Sequence, residues 1–97
     1  MPEFAIVATH RLKAGQRGAW AELAIINAAS ARKEPGCLQF DVLLPSDDED
    51  TGILIERYVD QPAWDFHFKQ SYCQSFMKAI EDLLRDKMRT LCDLADR

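Results

Sequence analysis

The sequence predicts an α+β domain in which one antiparallel sheet is covered by helices on a single face. Three observations carry this. Apolar residues alternate at a period of two in three separate segments, as half-buried strands require. In two other segments they recur at three- and four-residue steps, as in a helix that buries one stripe. The second and third strand segments are joined by a short polar connection, which favours a hairpin.

The first strand runs from Pro2 to Arg11, with Phe4, Ile6 and Ala8 on one face and Ala5, Val7 and Thr9 on the other. Lys13-Ala14-Gly15 is the turn that follows. From Gln16 to Arg32 the pattern is helical through Trp20, Leu23, Ala24, Asn27 and Ala31. Glu34-Pro35-Gly36 stops this helix, because proline disfavours helix in the residue before it and glycine permits a sharp reversal. Cys37 to Leu44 alternates again, with Leu38, Phe40, Val42 and Leu44 opposite Gln39 and Asp41. Pro45 to Gly52 is a solvated acidic connection, and Ile53 to Val59 is the third strand. Asp60 or Gln61 caps a short helix from Ala63 to near Lys69, with Pro62 in its first turn. Ser71 or Tyr72 opens a longer helix with an apolar stripe of Cys73, Phe76, Met77, Ile80, Leu83 and Leu84. The tail, Met88 to Leu94, either extends that helix or forms a fourth strand, and propensity alone does not separate the two. With a strand there the order is β-α-β-β-α-β, the ferredoxin-like arrangement.

Ninety-seven residues make one domain, spanning 1–97 without a linker or an internal repeat. With 47% hydrophobic and 29% charged residues the composition is that of a globular chain, not a disordered one. The net charge of −4 argues against nucleic acid as a partner, since phosphate binding needs a basic face. No apolar run is long enough for a membrane span, and the opening Met1-Pro2-Glu3-Phe4 lacks the pattern of a signal peptide. Cys37, Cys73 and Cys92 are odd in number and widely spaced, so reduced thiols and a cytoplasmic location are expected. The sequence has no phosphate loop, nucleophile elbow or metal-ligand cluster, and no metal or other cofactor is expected. A small domain whose sheet is covered on one side leaves an apolar face, which makes a homodimer the expected state.

Two segments carry a family likeness. One is Glu34-Pro35-Gly36-Cys37-Leu38-Gln39-Phe40-Asp41-Val42, and the other is Ile55-Glu56-Arg57-Tyr58-Val59-Asp60 followed by Ala63 and His67 at the spacing Ala-x-x-x-His. At this separation they resemble the antibiotic biosynthesis monooxygenase family, within its small stand-alone branch of quinol-monooxygenase-like and autoinducer-processing proteins. The resemblance implies a ferredoxin-like monomer, a dimeric α/β barrel, and a pocket between sheet and helices. It also implies either oxidation of aromatic or quinol substrates by dioxygen without metal, flavin or haem, or isomerisation of a phosphorylated autoinducer sugar. The chain departs from relatives in four ways. Tyr72 stands where many have a second histidine, Tyr58 where tryptophan is common, and Met77 near the position of a haem-ligating histidine. The first strand also lacks the asparagine of haem-degrading relatives, so that role is disfavoured.

His67 is the first catalytic candidate, because a neutral imidazole over the sheet accepts a proton from a hydroxyl or an enol; the alternative is a core hydrogen bond. Glu56 is the second. It shares a strand face with Leu54 and Tyr58, where a carboxylate must be paired or have its pKa raised. Its reading as a general base stands beside that of a structural partner for Arg57, Arg32 or His67. Asn27, Tyr58, Tyr72 and Phe40 are the substrate-binding candidates, each with a packing or capping alternative. The expected function is a cofactor-independent monooxygenase for a small aromatic, quinol-like or enolisable molecule. The alternatives are an isomerase of a phosphorylated keto sugar and a non-catalytic dimeric binding protein.

Overall fold

The computed structural model describes residues 3–96; Pro2, where the first predicted strand begins, lies outside them with Met1 and Arg97. The element order is β1 (Phe4–Leu12), α1 (Arg17–Ala31), β2 (Cys37–Leu43), β3 (Thr51–Tyr58), α2 (Gln61–Phe68), α3 (Ser71–Ile80), a 3-10 turn (Glu81–Leu83) and β4 (Leu84–Asp93). The four strands form one antiparallel sheet in the order β2-β3-β1-β4. This is the ferredoxin-like fold. α1 packs on β2, β3 and α3, and α2 packs on β3 and α3.

The tail is a strand. Its ladder with β1 runs from Phe4↔Asp93 to Leu12↔Leu84, with an irregularity at Arg11/Leu12. The apolar stripe expected to continue through Leu83 and Leu84 therefore ends as helix at Ile80. Residues of β4 are mostly exposed, as befits an edge strand.

β2 is shorter than its alternation suggests. A register shift between Cys37 and Gln39 turns Leu38 outward to solvent, and Leu44 lies beyond the strand and is exposed. Phe40 keeps its inward place and is fully buried. β1 alternates cleanly, with Ile6, Ala8, His10 and Leu12 buried on the helix face. The opposite face carries Val7, Ile53, Ile55, Leu43 and Met88, none of them buried.

The core is built on Trp20, Phe40, Leu54, Phe76, Ile80 and the small residues Ala24, Ala28 and Ala31 of α1. Burial of each large side chain stabilises the fold by about 1.5–3 kcal/mol relative to exposure. The connection after β1 turns at Gly15, whose φ of 77° suits a residue without a Cβ. The acidic connection is ordered by its own hydrogen bonds. The Thr51 hydroxyl donates to Asp48 Oδ2 at 2.7 Å, and Arg17 Nη1 donates to the carbonyls of Pro45 and Asp48 at 2.9 and 2.8 Å. Thr51 together with the Asp50 N–H holds the Asp48 carboxyl below its ordinary pKa.

Candidate active site

α2 is placed by its first turn. Asp60 is extended at the N-cap, its carboxylate accepts from the Ala63 N–H at 2.9 Å, and Pro62 follows where no N–H is needed. The helix can then lie close to the end of α1, because a Cβ on Gly36 would collide with the Ala63 methyl and touch Val59 Cγ2 at 3.4 Å. One helical turn beyond Ala63, His67 is buried, and its Nδ1 lies 2.7 Å from Glu34 Oε2. The Pro-Gly and Ala-x-x-x-His segments are thus two sides of one contact. Gly36 meets Ala63, and Glu34 meets His67.

Glu34 is buried as well, and its Oε2 also accepts from the Tyr72 hydroxyl. Burial and this carboxylate push the Tyr72 phenol pKa up. A carboxylate at Nδ1 makes that nitrogen the donor and leaves Nε2 as the ring nitrogen that Glu34 does not engage. His67 also contacts the rings of Phe40 and Tyr58, at centroid distances of 5.4 and 5.8 Å.

Glu56 sits on β3 facing the helices, and its Oε1 accepts from the Tyr58 hydroxyl at 2.7 Å. Of the partners expected from sequence, none holds it: Arg57 goes to Glu3 at 2.8 Å, Arg32 to the Phe40 carbonyl at 3.0 Å, and His67 to Glu34. Burial raises the Glu56 pKa, opposed by the Tyr58 hydrogen bond and the nearby His67. Burial and the Glu56 charge push the Tyr58 phenol pKa strongly up, so Tyr58 serves Glu56 as a donor.

Glu56, His67 and Asn27 line one cavity of about 30 Å³ between sheet and helices, together with His10, Cys73 and Arg89. A space of this size holds a water molecule or two, not an aromatic ring. Beside it lies a groove of about 250 Å³ that shares Ala8, His10, Phe68, Met77 and Arg89 with it and adds Lys87 and Met88. Arg89 lines both, with its guanidinium 5.6 Å from the Trp64 ring and 5.4 Å from the Phe68 ring. The Asn27 Oδ1 is buried and has no hydrogen-bond partner among the described residues, leaving an acceptor in want of a donor.

The other substrate-binding candidates lie apart from this cavity. Tyr58 and Phe40 are fully buried beneath it, and Tyr72 lies on the far side of Glu34, along a separate groove with Lys33 and Phe66. Cys73 does line the cavity, but burial raises its thiol pKa to about 11, as it does for Cys37. Among the described residues no group of three or more His, Cys, Asp or Glu side chains is placed to hold a metal ion. No helix among them is long and apolar enough to cross a membrane.

Sequence reading missed Glu34, His10 and Arg89. In sequence, Glu34 carries the signal of a helix stop and opens one of the two likeness segments, and neither reading gave it a role in the site. His10 was findable, because the alternation of Phe4, Ile6 and Ala8 puts it on the buried face. Arg89 carried no local signal.

A ferredoxin-like sheet with helices on one face and a polar cavity between them defines a small α+β domain built around a buried, carboxylate-anchored histidine. Residues 3–79 match the antibiotic biosynthesis monooxygenase family, and the chain belongs to it. It is similar to a solved protein of Mycobacterium tuberculosis at 24% identity, over 98% of this chain and 97% of that one, with a TM-score of 0.90. A Nitrosomonas europaea protein, provisionally described as an antibiotic biosynthesis monooxygenase, is 18% identical over 96% of this chain and 90% of that one, with a TM-score of 0.92. A Bacteroides thetaiotaomicron protein described as a possible oxidoreductase is also 18% identical, over 96% of this chain and 98% of that one, with a TM-score of 0.90. At these identities the likeness concerns the fold. No curated protein matches the chain.

Proposed function

We propose that this chain is a cofactor-independent monooxygenase of a small aromatic, quinol-like or enolisable substrate, working as a homodimer. The observation that carries the reading is the convergence of His67, Glu56 and the unpartnered Asn27 Oδ1 on one cavity, with His67 anchored through Nδ1 by Glu34. His67 Nε2 is the base. Removing a proton from a methylene flanked by an aryl group and a carbonyl leaves a carbanion whose electron pair reduces dioxygen. The hydroperoxide that forms loses water to give the ketone. One methylene and one dioxygen thus become one ketone and one water, the second oxygen atom leaving with the two methylene hydrogens. The imidazolium formed on the way is stabilised by Glu34, and Asn27 Oδ1 accepts from a substrate hydroxyl. Membership of the family supports an oxidoreductase, and the exposed apolar row on the outer sheet face supports the dimer.

The same base would serve an isomerase that moves a proton beside a carbonyl, and oxygen uptake separates the two. The test uses an oxygen electrode with a panel of anthrones and naphthoquinols. His67→Asn keeps a donor toward Glu34 but lacks the Nε2 base, so it should stay folded and lose turnover by roughly a hundredfold or more. Undiminished oxygen uptake in this variant would sink the assignment of His67.

A further inference from the structure

We propose that His10 and Arg89 together form the site that binds the substrate oxygen as it becomes an anion, so that the chain selects an aromatic alcohol or an enolisable ketone able to present an oxyanion there. This rests on the reading of the site as a proton-abstracting one, and it assigns the group opposite the base.

His10 is buried on β1. The Trp20 indole N–H donates to its Nδ1 at 2.9 Å, with the two rings edge-on at a centroid distance of 5.6 Å. An imidazole that accepts at Nδ1 and is neutral must carry its proton on Nε2. His67 is engaged at the same ring nitrogen in the opposite sense, with Nδ1 donating to Glu34. The two histidines on the same cavity therefore use Nδ1 in opposite senses, each set by a buried partner. His10 is the one whose free ring nitrogen presents an N–H.

Three features keep His10 a donor and not a second base. Burial, then the charges of Lys87 and Arg89, lower its pKa to about 4, so the ring stays neutral at physiological pH. Nε2 has no protein hydrogen-bond partner among the described residues, although His10 lines both the cavity and the adjoining groove. The sheet register sets Ala8 opposite Arg89 and His10 opposite Lys87, which puts two cationic residues on the strand next to His10, near enough for their charges to act on its ring. Arg89 itself forms no salt bridge among the described residues and rests on the Trp64 and Phe68 rings. A neutral N–H and a guanidinium resting on two aromatic rings favour charge that develops during proton removal. Glu56 shares the cavity, and burial pushes it toward its neutral form, which lessens repulsion of the bound anion.

The test uses 2-naphthol as the probe and naphthalene as its oxygen-free control, both titrated into the full chain at neutral pH. 2-Naphthol should bind with its absorbance shifted toward that of the naphtholate. Arg89→Met and His10→Phe should each weaken it by about tenfold or more, the usual effect of losing a hydrogen bond to a charged group, and leave naphthalene affinity within about twofold. Arg89→Met lies on an exposed strand and guards against misfolding of the buried His10 variant. In parallel, nitrogen NMR of histidine-labelled protein should find His10 protonated at Nε2 and neutral down to at least pH 5. Failure of 2-naphthol to bind at millimolar concentration, equal loss of both probes in Arg89→Met, or a proton on His10 Nδ1 would each overturn the proposal. None of these readouts involves oxygen. A chain that binds naphtholate through His10 and Arg89 yet consumes no oxygen with any quinol keeps this assignment and loses the oxygenase reading.

Discussion

Replacing Gly52 by alanine would drive a methyl group into the six-membered ring of Trp20. A Cβ built at Gly52 meets three atoms of that ring, of which Cε3, at 2.6 Å, is the farthest. Trp20 is fully buried and its indole N–H is tied to His10, so the ring cannot yield without breaking that hydrogen bond or shifting α1 away from β3. Overpacking of this kind costs about 1–3 kcal/mol, and a lost buried hydrogen bond adds about 1 kcal/mol. Gly52→Ala should therefore destabilise the chain by about 2–4 kcal/mol, which in a domain of this size lowers Tm by roughly 10–30 °C. Urea unfolding followed by tryptophan fluorescence measures the loss, and nitrogen NMR of histidine should show that His10 no longer holds the Nε2–H tautomer. A midpoint within about 0.5 kcal/mol of the parent chain, the range of neutral surface changes, would mean that Trp20 is not held as described and that its control of His10 is lost with it.

Three further outcomes follow from the same contacts. Because the His10 pKa falls from 6.5 to about 4 on folding, the unfolded chain binds the extra proton first, so stability present above pH 6.5 is lost as pH drops toward 4. The upper limit of this loss is about 3 kcal/mol; it is measured by urea midpoints in a Glu56→Gln background, where the opposite slope from the raised Glu56 pKa is absent, and His10→Phe should flatten it. Glu34→Gln removes the charge beside His67 but keeps a group that can accept from Nδ1, so turnover should fall by about tenfold, less than the loss of the base itself; an unchanged pH–rate profile would dissociate Glu34 from catalysis. Light scattering at micromolar concentration should give twice the chain mass of 11.1 kDa, and a monomeric mass would leave Val7, Ile53, Ile55 and Met88 without the cover proposed for them.

Period and punctuation in the sequence determined most of the fold. Alternation in β1 and β3, helical spacing in α1, the Asp60-Gln61-Pro62 start of α2 and the Pro35-Gly36 stop are local signals, expressed within a few residues by backbone preference and side-chain direction. They also put Asn27, Glu56 and His67 on inward faces, and those faces meet at one cavity. What the tertiary structure decided are the choices that depend on distant partners. Residues 84–93 are strand because the free edge of β1, some eighty residues earlier, offers an unpaired ladder, and nothing local in that tail outweighs it. Leu38 left its expected face because pairing with β3 demanded a bulge. Glu56 found Tyr58 instead of an arginine or His67, while His67 found Glu34, thirty-three positions away, once Gly36 let α2 approach. The opposite roles of Nδ1 in His10 and His67, acceptor in one and donor in the other, have the same origin. A side chain's period tells which way it points, but the proton it carries is set by whichever buried group it meets.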